Sequence, residues 1–417
     1  MKQIVINGGK TLTGSIPITG AKNSAVAIIP ASILCDEQST IYNVPNISDR
    51  DVLIEILHTL NCETSLNGDL LKIDSSNVKN NKIPMELSKK MRASYYFMGA
   101  LLSRFKHIEM YFPGGCNIGK RPIDIHIKGF EALGAKVSVK GDLYKIDAEE
   151  LNGANITLDF ASVGATINIM LAAVKAKGKT VIKNAAREAE IVNVATFLNN
   201  MGAKISGAGT SIIRIEGVDY LHRAMIEVIP DRIEAGTYII LGAMIGDNLK
   251  IENIIPEHMD ALLSKLTDMG IKYDLEETMI TISKADNIKA SNLKTAVYPG
   301  FPTDLGQPIM VLLTQASGVS MFEETIYENR MGHVKYLNKM GANIKAANTN
   351  AVVIGKTPLS GCEVEATDLR GGAAMVLAGL IAEGTTTISS IEHILRGYDS
   401  IITKLKNVGA DIKLEEV

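Results

Sequence analysis

Cysteine is scarce in this chain: four residues in 417, scattered as Cys35, Cys62, Cys116 and Cys362 with no Cys-x-x-Cys pair. That leaves no material for a disulfide framework or a zinc cage, and it fits a reducing compartment. An excess of either charge is missing too. With 43 Lys and Arg against 46 Asp and Glu the net charge is −3, so no global basic field draws the protein to nucleic acid or anionic lipid. Any anion site must be built locally. The longest uncharged stretch, residues 305–322, carries Gln307, Pro308, Thr314, Gln315, Ser317 and Ser320, and is too polar for a membrane span. Residues 1–9 hold one lysine and no apolar core, unlike a secretion signal, so a soluble, cytoplasmic protein is expected.

Familiar cofactor and metal signatures are also absent. The seven histidines form no His-Glu-x-x-His pattern, and there is no Gly-x-Ser-x-Gly elbow or Gly-x-Gly-x-x-Gly fingerprint. Gly9-Lys10-Thr11 imitates the end of a phosphate-binding loop, but Ile4 stands where its first glycine is required. Neither metal nor cofactor is expected. What is present is an ordinary globular balance, 46% hydrophobic and 21% charged, long enough for two to four compact units.

The chain repeats. Helix-like segments end in Leu133-Gly134-Ala135-Lys136, Met201-Gly202-Ala203-Lys204, Met269-Gly270-Ile271-Lys272, Met340-Gly341-Ala342-Asn343 and Val408-Gly409-Ala410-Asp411, with a degenerate sixth copy at Leu60-Asn61-Cys62-Glu63. Successive copies lie 73, 68, 68, 71 and 68 residues apart. The glycine is suited to the left-handed conformation that stops a helix, and strand-like alternation follows it. Each repeat also holds a segment that is apolar nearly all round, at residues 24–34, 93–102, 166–174, 237–245, 308–313 and 373–381, as a helix buried on every side requires. The unit reads β-α-β-α-β-β, six times. Six units could form an open solenoid or two closed groups of three; fully apolar helices favour closure. The expected fold is therefore α/β, with two pseudo-threefold domains, helices inside, sheets outside, and a cleft between them. The seam is expected near Glu227-Val228-Ile229-Pro230, about half-way along the chain.

Some residues are not explained by such a fold. Cys116 sits in the glycine- and proline-rich loop Pro113-Gly114-Gly115-Cys116-Asn117-Ile118-Gly119-Lys120-Arg121-Pro122, where the two cations would favour its thiolate. Cys35, Cys62 and Cys362 read as structural or incidental. Cations recur where elements begin or end: Lys22-Asn23, Arg92, Arg370 and Arg396. Helix N-termini already favour anions, so this recurrence suggests phosphate or carboxylate ligands. Asp304, ahead of the fifth apolar helix, is either an N-cap or a general base. Ser162-Val163-Gly164-Ala165-Thr166 offers a helix start suited to a diphosphate.

These residues, in this order, resemble the enolpyruvyl transferase family, and within it the transferases that act on UDP-N-acetylglucosamine. The resemblance is carried by Gly20-Ala21-Lys22-Asn23, Met91-Arg92-Ala93-Ser94, the Cys116 loop, residues 162–166, Asn184-Ala185-Ala186-Arg187-Glu188, Pro230-Asp231-Arg232, Phe301-Pro302-Thr303-Asp304, Glu328-Asn329-Arg330, Thr367-Asp368-Leu369-Arg370 and Arg396-Gly397-Tyr398. It implies two inside-out α/β barrels, one formed by residues 22–229 and the other by residues 1–21 with 230–417. It also implies transfer of the enolpyruvyl group of phosphoenolpyruvate to the 3-hydroxyl of UDP-N-acetylglucosamine, the first committed step of bacterial peptidoglycan synthesis. Cys116 is then the general acid and Asp304 the base. Lys22, Asn23, Arg92, Arg121 and Arg396 surround phosphoenolpyruvate, Lys22 and Arg396 counting among the catalytic groups. Arg121, Pro122, Ile123, Asp124 and Ile125, with Ser162, Val163 and Gly164, take the uridine and diphosphate. Ile326 lies beside the sugar, and Arg330, Arg370 and Glu188 support the site. A 5-enolpyruvylshikimate-3-phosphate synthase and a non-enzymatic repeat scaffold are the alternatives.

Overall fold

The computed structural model describes residues 2–114, 118–119 and 122–416. They divide into two units with separate hydrophobic cores. One comprises residues 20–114 and 122–229; the other comprises 2–19 and 230–416, with Ile118 and Gly119. The break at Thr19/Gly20 falls just before the Lys22 boundary implied by the resemblance.

The apolar segments form helices, and burial explains why. In the unit around residues 20–229 they are Lys22–Ala31, Tyr96–Phe105 and Val163–Ala173, with the middle helix packed on both others. In the second unit Arg232–Ile245, Gly306–Thr314 and Leu369–Ile381 all pack on one another. Every residue of Gly306–Thr314 is buried, so a polar side chain survives there only with a partner inside the protein. Sheets cover these helices and present their other face to water. In Gly318–Glu323, for example, Ser320 and Phe322 are buried while Val319 and Met321 are exposed, the two-residue period of a strand.

Each unit has three sheets. The third repeat shows the expected order intact: strand Asn155–Thr157, the buried helix, strand Lys179–Lys183, helix Ala189–Asn200, then strands Lys204–Ser206 and Ile212–Glu216, all four strands in one sheet. The second repeat departs from it. Its sheet has three strands among the described residues, His107–Tyr111, Leu143–Asp147 and Lys136–Lys140, with no opening strand.

Two exchanges explain why the second unit is built from both ends of the chain. Ser15–Pro17, the opening strand of the first repeat, pairs in parallel with Leu249–Glu252 of the fourth. Met225–Glu227, the opening strand of the fourth, pairs in parallel with Gln38–Tyr42 of the first. The N-terminal strand Lys2–Asn7 fills the last place in the sixth repeat, between Thr385–Ser389 and Asp411–Glu416.

The glycine turns adopt the conformation expected of them. Gly134, Gly202, Gly270, Gly341 and Gly409 all have positive φ, from +79° to +108°, and Asn61 at the degenerate copy has φ +65°. Asparagine is among the few other residues that visit this region readily. A second periodic device escaped the sequence reading. Asn43, Asn184 and Asn253 also have positive φ, and their side-chain amides donate to Val228 O, Leu158 O and Ile18 O, each just past an opening strand.

Candidate active site

In the unit around residues 20–229, the expected cations stand at the starts of buried helices. Lys22 is the first residue of Lys22–Ala31, and its Nζ lies 2.7 Å from Asp49 Oδ2 with both side chains nearly buried. Asp49 was not anticipated; an acid in the first turn of a helix, here Ser48–Thr59, ordinarily signals only dipole stabilisation. Asn23 follows Lys22 and is half-buried. Arg92 opens the turn Arg92–Tyr95. Its guanidinium lies over the rings of Tyr95 (5.7 Å) and Phe112 (5.2 Å) and donates to Pro113 O at 3.4 Å. Flat aromatic faces hold a cation without neutralising it.

Ser162 caps Val163–Ala173, its hydroxyl accepting from Ala165 N at 3.2 Å. Gly164 has a steric reason to be glycine: a Cβ there would lie 2.5 Å from Tyr95 Oη and 3.1 Å from His126 Cε1. The Arg92–Tyr95 turn and residues 162–164 are thus brought together over His126. That histidine, missed by the sequence reading, is buried, and burial with the nearby Arg92 charge pushes its pKa down to about 3. Asn168 explains how it is held. Its Oδ1 accepts from Gly99 N at 2.9 Å, so its Nδ2 donates to His126 Nδ1 at 2.9 Å, leaving the single ring proton on Nε2. Of the nucleotide-binding candidates, Ile123 is buried, Pro122 and Asp124 are exposed, and Ile125 is half-buried; Asp124 starts helix Asp124–Ala132. Glu188 precedes helix Ala189–Asn200. Cys116 and Arg121 lie outside the described residues.

The second unit concentrates its charge around one carboxylate. Asp304 Oδ1 accepts from Arg330 Nη2 at 2.8 Å, and Oδ2 from Arg370 Nη2 at 3.0 Å. Both arginine side chains are almost inaccessible, at 6% and 2%, while Asp304 keeps 22% of its surface. Burial alone would raise the carboxyl pKa, but Arg370 and Arg330 hold it well below the usual range. The N-cap positions of the turn Thr303–Leu305 and of the helix after it are Pro302 and Leu305, so Asp304 is the N-cap of neither. The capping aspartate nearby is Asp368, which accepts from Arg370 N and Gly371 N and from Gln307 Nε2. Arg370 is further fixed over the Tyr398 ring at 5.3 Å, whose hydroxyl meets Thr237 Oγ1 at 3.0 Å. Arg330 lies over the Tyr327 ring at 4.8 Å and donates to Thr303 Oγ1 at 3.0 Å. Ile326 is half-buried, its amide bonded to Glu324, and Arg396 follows the short helix Glu392–Leu395.

The structure therefore joins Asp304, Arg330 and Arg370 through direct bonds, and gathers Arg92 with residues 162–164 around Tyr95 and His126. Chemically, the first group is an acid held in its charged form; the second is a cation seated on aromatic rings, one of which, Tyr95, lies against the start of a helix.

Comparison with known proteins points the same way. The family described as EPSP synthase (3-phosphoshikimate 1-carboxyvinyltransferase) matches residues 6–405. UDP-N-acetylglucosamine 1-carboxyvinyltransferase 2 of Listeria monocytogenes is 52% identical over 410 residues, covering 98% of this chain and 97% of that protein. UDP-N-acetylglucosamine 1-carboxyvinyltransferase of Streptococcus pneumoniae strain D39 is 52% identical over 418 residues, covering all of both. Among solved structures, the enolpyruvyl transferase NikO from Streptomyces tendae superposes with a TM-score of 0.92 at 24% identity, covering 100% of this chain and 99% of that one. An EPSP synthase from Acinetobacter baumannii does so at 0.76 and 17%, covering all of both. The fold is thus that of the two-domain inside-out α/β barrel proteins.

Proposed function

Because the chain belongs to the EPSP synthase family of carboxyvinyltransferases, we propose that it transfers the enolpyruvyl group of phosphoenolpyruvate to the 3-hydroxyl of UDP-N-acetylglucosamine and releases phosphate. The observation that carries this reading is the 52% identity, over the whole chain, to relatives named for that activity. The product would enter peptidoglycan synthesis, in the cytoplasm. No described helix is long and apolar enough to cross a membrane, which is compatible with that location.

The chemistry assigns work to the named residues. Phosphoenolpyruvate brings a phosphate and a carboxylate, and Lys22, Asn23, Arg92, Arg121 and Arg396 bind them through charge-assisted hydrogen bonds. The nucleotide sugar lies along residues 121–125 and 162–164, with Ile326 beside the sugar. The sugar hydroxyl adds to the central carbon of phosphoenolpyruvate. Asp304 accepts its proton, and Cys116 donates one to the methylene carbon. The tetrahedral intermediate then loses a methyl proton and expels phosphate, whose growing charge the cations stabilise. The two guanidinium groups keep the Asp304 carboxylate ionised and oriented, so that it is ready to accept a proton.

The test is phosphate release from phosphoenolpyruvate with either UDP-N-acetylglucosamine or shikimate 3-phosphate as acceptor. Release with the nucleotide sugar alone is expected. Release with shikimate 3-phosphate alone would move the protein to the activity for which its family is described, and release with neither would remove the transferase reading.

A further inference from the structure

We infer that Glu324 is a positioning residue for Asp304, acting through the Thr303 hydroxyl and the Arg330 guanidinium. This rests on the reading of Asp304 as proton acceptor and goes beyond it. Glu324 is a buried carboxylate, 3% exposed, and its hydrogen-bond donors are neutral groups. Its Oε1 accepts from Thr295 Oγ1 at 2.9 Å, Ile326 N at 2.8 Å and Tyr327 N at 3.3 Å; its Oε2 accepts from Thr303 Oγ1 at 2.8 Å. A buried carboxylate is costly unless its acceptor sites are filled, and these four donors fill them.

The directions of these bonds make the arrangement specific. Thr303 has one hydroxyl proton, and the acceptor-only carboxylate takes it. The Thr303 oxygen is left to receive Arg330 Nη1 at 3.0 Å while Arg330 Nη2 reaches Asp304. The same carboxylate pins the amides of Ile326 and Tyr327, where the chain sets out toward Arg330. One buried group thereby fixes Asp304 through its neighbour Thr303, and Arg330 through both its contact and its chain. The other charged and titratable groups around the pair are Arg370, with Tyr398 and Asp231 on its side, and Tyr327, Asp368 and the buried His333 on the Arg330 side.

The test uses the full chain and four variants, Glu324→Gln, Thr303→Val, Thr303→Ser and the double Glu324→Gln/Thr303→Val, with pH profiles of kcat and KM for phosphoenolpyruvate. Glu324→Gln puts a donor where a donor already points, and Thr303→Val removes the hydroxyl at nearly constant volume. Each is expected to lower kcat roughly 10- to 100-fold with a much smaller change in KM. Each should move the acid limb of kcat upward in pH, because a loosened Arg330 stabilises the Asp304 charge less. Thr303→Ser should keep the wild-type profile, and the double variant should be no worse than the worse single one. An unmoved acid limb in Thr303→Val, the same loss in Thr303→Ser, or independent losses in the double variant would overturn the inference. If Glu324→Gln does not fold, the two Thr303 variants decide alone. Asp304→Asn separates the two failures: full turnover there removes the acceptor reading itself, whereas a crippled Asp304→Asn beside an unaffected Thr303→Val removes only the role of Glu324.

Discussion

The two units treat charge differently. Around residues 20–229 the cations rest on aromatic faces or a single acid: Arg92 on Tyr95 and Phe112, Lys22 on Asp49. In the other unit two buried arginines converge on the same carboxylate. The first arrangement spreads its cations over separate neighbours; the second gathers two cations on one acid and keeps it ionised. A threefold repeat used twice has been given two electrostatic tasks by a few side chains at equivalent helix starts.

Removing the stored acid should break the contrast most severely. Asp304→Ala is expected to lower kcat by about 10²- to 10⁴-fold, the range for loss of an acid–base group, with far-ultraviolet circular dichroism unchanged. Turnover near wild type would end its assignment. Cys116→Ala is expected to be similarly crippling, and Cys116→Asp milder because a carboxyl can still donate a proton.

A stability measurement comes next. Arg370→Met leaves Asp304 with one guanidinium in place of two, and breaking a buried pair typically costs about 3–5 kcal/mol. Urea unfolding should show a loss of that order; a loss under about 1 kcal/mol would mean that Arg330 alone suffices.

Acid titration sharpens the comparison between units. The His126 pKa is depressed to about 3, so its contribution to stability is complete above its unfolded value near 6.5 and is lost as pH falls toward 3. The Asp304 contribution is complete above the unfolded value near 3.9 and is lost only below it. His333, buried in the other unit with its pKa pushed down to about 4, loses its contribution over much of the same range, so both units should soften below pH 6.5, and hydrogen exchange at stepped pH should show the loss in residues 20–229 continuing further, toward pH 3. His126→Asn should flatten the loss between pH 6.5 and 3; an unchanged slope would show that His126 is not its source. The smallest effect is expected at the shared turns. Gly134→Ala, at φ +99°, should cost about 1–2 kcal/mol, whereas Asn61→Gly should shift stability by only a few tenths.

What was legible in the sequence was whatever repeats along it. Helix-stopping glycines and helices without a polar face leave periodic marks because each copy solves the same local problem. Asp304 shows where this ends: its two partners lie 26 and 66 residues away, so sequence alone left cap and base as equal readings. The exchange of Ser15–Pro17 and Met225–Glu227 was invisible for the same reason, since either strand fits either sheet by pattern. The domain composition came from resemblance. His126 and Glu324 were missed because a lone histidine or glutamate carries no pattern. Asn43, Asn184 and Asn253 could have been found, for they occupy matching places in their repeats.

The central place of Lys2–Asn7 between Thr385–Ser389 and Asp411–Glu416 bears on how the protein is made. A ribosome finishes the strands of the 20–229 unit once Met225–Glu227 has emerged, and that half can consolidate while synthesis continues. Lys2–Asn7, made well before either of its partners, must instead wait for Thr385–Ser389 and Asp411–Glu416. Truncating a few C-terminal residues should therefore harm the half that holds Asp304 and leave the earlier-born half able to fold.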